Sequence, residues 1–138
     1  MELYHGTNNH FATEISEGRV DVRIGGGELG RGFYIGDLPH EAFNWSRQIY
    51  KEDYAVVELK IEDDDILIQQ PHCLNYEETC WERNKIRNLN QTRTYLFNEN
   101  IVWAPVVGKN IPNFNQLKFE SNNAENLVNS NVVDRKIL

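Results

Sequence analysis

The chain has 138 residues, a length that fits one domain with a real core. Hydrophobic residues make up 40% and charged residues 25%, and no apolar run reaches the ~20 residues that a membrane helix needs. The net charge of −7 excludes a protein that coats nucleic acid through bulk electrostatics.

The start, MELYHGT, has no basic segment followed by an apolar one, so no export signal is expected and the protein is read as cytoplasmic. Cys73 and Cys80 are then expected as reduced thiols rather than a disulfide framework.

In chain order, Leu3 to His5 reads as a short first strand and Phe11 to Glu17 as a short helix ended by Gly18. The stretch GGGELGRGFYIG, residues 25–36, holds six of the nine glycines and leads into an apolar strand at Phe33 to Ile35. Asp37 is placed to cap a helix with Pro39 in its first turn, and Ala42, Trp45 and Ile49 recur at helical spacing. Tyr54 to Ile61 alternates with Ala55, Val57, Leu59 and Ile61 on one face, the clearest strand of the chain. Glu62 to Asp65 reads as an acidic turn and Ile66 to Ile68 as a short strand. Leu74 to Leu89 reads as a helix, Glu99 to Val107 as a strand with an edge or bulge at Pro105, and Gln116 to Glu120 as the last strand. The tail after Asn122 reads as a weak helix. Strands and helices do not alternate regularly, which indicates an α+β class in a single domain spanning 1–138, with 121–138 peripheral.

Several chemistries are excluded by spacing. The glycine stretch has no GKS or GKT, and GELGRG does not lie between a strand and a helix, so neither phosphate-cradle motif fits. His72, Cys73 and Cys80 lack the paired spacing of a zinc site, and no metal is expected. The four serines have no nucleophile-elbow context.

Three segments carry a different pattern. YHGT places His5 in the first strand. GRGFYIGDLPHEAFNWS delivers Tyr34 from a glycine loop into an aromatic strand and then a helix. FNENIVW opens an aliphatic strand with Glu99. A lone histidine, tyrosine or glutamate of this kind is usually structural. Three such segments in this order are similar to the motifs of the ADP-ribosyltransferase superfamily. The resembling branch is the His-Tyr-Glu one, of diphtheria toxin and poly(ADP-ribose) polymerases. The likeness covers roughly residues 2 to 108, and the EAFNW helix looks closer to small bacterial toxins than to the eukaryotic enzymes.

The resemblance implies a fold of two small packed, antiparallel-rich sheets with flanking helices and an NAD+ cleft. It implies NAD+ as co-substrate, cleaved at the nicotinamide–ribose bond through an oxocarbenium-like transition state. His5, Tyr34 and Glu99 would be the catalytic triad. Glu99 would bond the ribose 2′-hydroxyl and stabilise developing positive charge. His5, Gly6, Thr7, Arg31, Gly32, Phe33, Tyr34 and Trp45 would hold NAD+. In that set Gly6 offers its backbone to the nicotinamide amide, and Tyr34 and Trp45 pack on the ring. Ala42 stands where the polymerases often have a serine, and the short chain favours single transfer over polymerisation. Glu28 is the alternative carboxylate.

Residues 81–95 carry Arg83, Lys85, Arg87 and Arg93 against Glu82, net +3, whereas residues 52–65 carry seven acids and one lysine, net −6. The basic segment precedes Glu99. By resemblance it faces the acceptor, so Arg83, Lys85, Arg87, Arg93 and Phe97 are the expected acceptor-binding residues, for RNA, DNA or an acidic protein surface. The expected activity is that of a mono-ADP-ribosyltransferase toxin of a toxin–antitoxin or phage-defence module, with a cognate antitoxin protein as a further partner and no membrane partner. The alternatives are an NAD+ glycohydrolase and a binding module without catalysis.

Overall fold

The computed structural model describes residues 1–138 as an α+β fold around one seven-stranded mixed sheet. Its strands are β1 (Glu2–Asn8), β2 (Phe33–Gly36), β3 (Tyr54–Lys60), β4 (His72–Cys73), β5 (Ile101–Pro105), β6 (Asn115–Phe119) and β7 (Asp134–Ile137). The helices are α1 (Asn9–Ser16), α2 (Pro39–Tyr50), α3 (Asp63–Leu67), α4 (Tyr76–Asn88) and α5 (Asn122–Asn129). The order across the sheet is β4-β5-β6-β2-β1-β3-β7, all neighbours antiparallel except the short β4 beside β5. A single sheet therefore replaces the expected two. No helix is long and apolar enough to cross a membrane.

The sheet has a seam. β1 pairs with β3 over seven residues, and β2 pairs with β6 over four. β1 and β2 are joined only at Tyr4 and Gly36. Beyond that bridge, toward Thr7 and Phe33, the two strands part.

Strand alternation places the core. Leu3, Phe33, Ile35, Val57, Leu59, Ile101, Leu117 and Phe119 pack with Ala12 and Ile15 of α1 and Ala124 and Val128 of α5. Full burial of such a side chain stabilises by about 1.5–3 kcal/mol each. A smaller cluster forms where the alternate β5 residues Val102 and Ala104 meet Leu29 and Leu74, with Tyr34 and Phe97 against it.

Four expectations are corrected. Asp37 does not cap α2; Leu38 holds the cap position without a side-chain bond, and Asp37 accepts from the Asn115 backbone at 2.9 Å instead. Tying the exit of β2 to the start of β6 takes the carboxylate away from the helix. The acidic run is the first turn of α3 rather than a turn before a strand, since three aspartates favour the positive helix N-terminus. β6 is not the last strand. The 121–138 segment is not peripheral, because α5 is capped by Ser121, buries Ala124 and Val128, and leads to β7 paired on β3.

Candidate active site

The parted strands open a cleft of about 810 Å³. His5, Gly6 and Thr7 form one wall, and Gly32, Phe33, Tyr34 and Ile35 the other. α2 contributes Glu41, Ala42, Trp45 and Ile49, and residues 24–28 close one side. This volume lies within the ~300–1,000 Å³ usual for small-molecule sites.

His5 spans the seam. Its Nδ1 lies 2.6 Å from the Tyr34 carbonyl oxygen, and its ring sits 4.5 Å from that of Phe33. Burial holds the imidazole below its ordinary pKa, partly offset by that carbonyl bond. The neutral tautomer that donates from Nδ1 leaves Nε2 as an acceptor.

Tyr34 is fixed by the glycine loop. Its hydroxyl donates to the Gly30 carbonyl at 2.5 Å and accepts from the Leu29 N–H at 3.1 Å. Its ring lies against Gly27, where an added Cβ would sit 2.8 Å from Cζ. Burial pushes the phenol above its ordinary pKa, so the group stays neutral and serves as a hydrogen-bonding clamp and an aromatic wall.

The glycine loop is held at several points. Gly27 donates to the Thr92 carbonyl at 3.0 Å, Arg31 to the Tyr95 carbonyl at 3.0 Å, and the Arg93 guanidinium to the Ile24 carbonyl at 2.6 Å. The glycines permit close backbone approach here. Gly6 has the same use, because a Cβ there would lie 2.4 Å from the Ala42 carbonyl oxygen and would push α2 off β1. Trp45, 51% exposed, stands on the cleft side of α2, its ring 6.1 Å from that of Tyr50 in an edge-to-face arrangement.

The structure thus brings His5, Gly6, Thr7, Gly32, Phe33, Tyr34 and Trp45 around one cleft. Arg31 does not line it; its Nε is buried without a partner. Glu99 does not line it either. Ile101, Phe119 and Phe33 are in register, which puts Glu99 two residues beyond that row, at the end of the sheet where β1 and β2 part. Glu28 does line the cleft, with Oε1 2.9 Å from the Arg83 Nε.

The basic segment is divided by helix geometry. Arg83 and Arg87, four residues apart on α4, share a second cavity with Arg93. Lys85 lies on another flank, 2.9 Å from Glu82, with the Tyr95 hydroxyl at 2.9 Å and the Trp81 ring at 4.7 Å. Phe97 is half-buried against Tyr95 and the Lys118 ammonium.

Sequence reasoning missed Gln116 and the buried Lys118–Glu120 pair. Gln116 lines the cleft with its Nε2 buried and without a partner, a donor left for a ligand. Lys118 and Glu120 approach to 2.6 Å, and Glu120 also accepts the backbone N–H of Phe97 and of Glu99. Burial holds the Lys118 ammonium below its ordinary pKa, opposed by Glu120. Alternation along β6 marks position 118 as inward or outward but cannot name its neighbours. No protein-family model matches the chain, and no curated protein matches it.

Proposed function

We propose that the protein is a mono-ADP-ribosyltransferase with an ADP-ribosyltransferase-like fold, and that NAD+ occupies the seam between β1 and β2. One observation carries this reading: the first two resembling segments, distant in sequence, face each other across the parted strands, with His5, Gly6 and Thr7 opposite Gly32 to Ile35 and Trp45 beside them. On this reading Trp45 and Tyr34 hold the nicotinamide, the His5 Nε2 accepts from a ribose hydroxyl, and Gln116 offers its amide N–H. The nicotinamide–ribose bond breaks with its electron pair leaving on nicotinamide. Glu99 then supports the positive ribose from the open end of the cleft while the acceptor nucleophile attacks the same carbon and gives up its proton to the Glu99 carboxylate.

The position of Glu99 outside the cleft wall favours a second reading, an NAD+-binding module without transfer. Labelled NAD+ incubated with protein and cell lysate separates the two. Label on protein or nucleic acid, lost in Glu99→Gln, supports the transferase. Free nicotinamide and ADP-ribose without labelled macromolecule indicate a glycohydrolase. A raised melting temperature with NAD+ but no turnover indicates the binding module.

A further inference from the structure

Beside the main cleft lies a second cavity of about 330 Å³ with no hydrophobic residue in its lining. Arg83 and Arg87 enter it from successive turns of α4, and Arg93 from the loop that follows. Thr92 and the backbone of Gly26 and Gly27 complete it, with Glu28 as its one acid. Three guanidiniums against one carboxylate give a local +2 on a protein of net −7. Gly26, Gly27, Glu28 and Arg93 belong to both cavities, so the smaller one is an annex of the larger.

We propose that this annex anchors a phosphate group of a polynucleotide acceptor, a second ligand beside the one in the main cleft. The role of acceptor rests on the transferase reading; the anchoring does not. The main cleft, at about 810 Å³, is large enough for a dinucleotide by itself, which leaves the annex for another molecule. The arginines approach from two elements, Arg83 and Arg87 from α4 and Arg93 from the loop after it. A tetrahedral phosphate presents oxygens in several directions, whereas a planar carboxylate engages one guanidinium fork. Glu28 shows the second case: it pairs with Arg83 at 2.9 Å, while Arg87 has no ion-pair or hydrogen-bond partner. Glu28 is therefore a tethered competitor that an incoming phosphate displaces from Arg83. Displacement releases one of the ties on the glycine loop.

The probe is a fluorescently labelled single-stranded RNA of about ten nucleotides, titrated by anisotropy without NAD+. Binding is expected to weaken with salt, with a log–log slope of about −0.7 for the one phosphate that the annex holds. Arg87→Gln, at an exposed residue without partners, should weaken binding about tenfold and make its salt dependence shallower. Glu28→Gln should strengthen it several-fold. Lys136→Gln, on β7 at the far edge of the sheet, removes the same charge and should change nothing. The proposal is overturned if Arg87→Gln behaves like Lys136→Gln. It is overturned in favour of an acidic protein partner if a polyglutamate peptide binds as tightly as RNA and loses binding in Arg87→Gln. It is overturned in favour of the dinucleotide's own phosphates if saturating NAD+ expels the RNA. RNA binding that persists in a protein unable to transfer label sinks the transferase reading alone.

Discussion

The Glu120 carboxylate receives the backbone N–H of Glu99 at 2.9 Å. Its other oxygen takes the Phe97 N–H at 2.8 Å and the Lys118 ammonium at 2.6 Å. One buried side chain at the end of β6 thereby shapes the turn that presents the candidate catalytic carboxylate. Asn98, between the two donors, has φ of 61°, a conformation that asparagine tolerates better than most residues.

Glu120→Gln is expected to destabilise the protein by about 3–5 kcal/mol, because it leaves the Lys118 ammonium buried without its counter-charge. The double variant Lys118→Met with Glu120→Gln should recover part of that loss, since it removes the stranded charge. Chemical denaturation of both variants measures the difference. An E120Q protein as stable as wild type would show that the pair contributes nothing to the fold.

Tyr34→Phe keeps the aromatic wall and removes the clamp on Leu29 and Gly30. A loss of about 1–3 kcal/mol in stability is expected, because a buried N–H and carbonyl lose their partner. NAD+ should still raise the melting temperature of Tyr34→Phe, whereas Trp45→Ala should lose most of that rise with little change in the melting temperature of the free protein. Thermal scans with and without NAD+ distinguish the two roles.

His5 sets a direction with pH. Its folded pKa lies below the ordinary value of about 6.5, so the unfolded chain binds the proton more readily. The contribution of neutral His5 to stability is fully present above pH ~6.5 and declines as pH falls toward its folded pKa. Denaturation midpoints should fall on acidification over this window, and His5→Gln should flatten that part of the curve. A wild-type profile that rises on acidification would contradict the assignment of a neutral imidazole.

Gly6→Ala places a methyl group against the Ala42 carbonyl, so α2 must retreat from β1. A stability loss of about 1–3 kcal/mol is expected from this overpacking. Trp45 would retreat with α2, and NAD+ binding should weaken with the fold largely kept. Circular dichroism together with NAD+ titration checks both parts.

Glu99→Gln should leave NAD+ binding unchanged and lower the transfer rate about 10²–10³-fold, as loss of an electrostatic stabiliser does. Rate retained within a few-fold would move attention to Glu28, the carboxylate that lines the cleft.

The strands and helices visible in sequence were those with local causes. β3 buries every second residue from Ala55 to Leu59, with Val56 buried on its other face as well, and α4 carries a reciprocal cap between Asn75 and Glu78. Asp37 misled because its partner, Asn115, is far away in sequence and its preference for a helix cap is weaker than two bonds to β6. The walls of the candidate cleft were legible where they are contiguous, in the YHGT and GRGFYIG segments. Gln116 and Glu120 were not legible, since their roles depend on which strands become neighbours. The basic segment showed its charge in sequence but not that the turn of α4 sends Lys85 away from Arg83 and Arg87.

The single bridge at Tyr4 and Gly36 has a consequence for assembly as well as for ligands. Where β1 and β2 part, the sheet keeps an internal edge, the kind of surface that elsewhere recruits foreign strands and drives aggregation. Here the glycine loop and Trp45 line the cleft along that edge. The protein's own backbone thus screens this internal edge from neighbouring molecules.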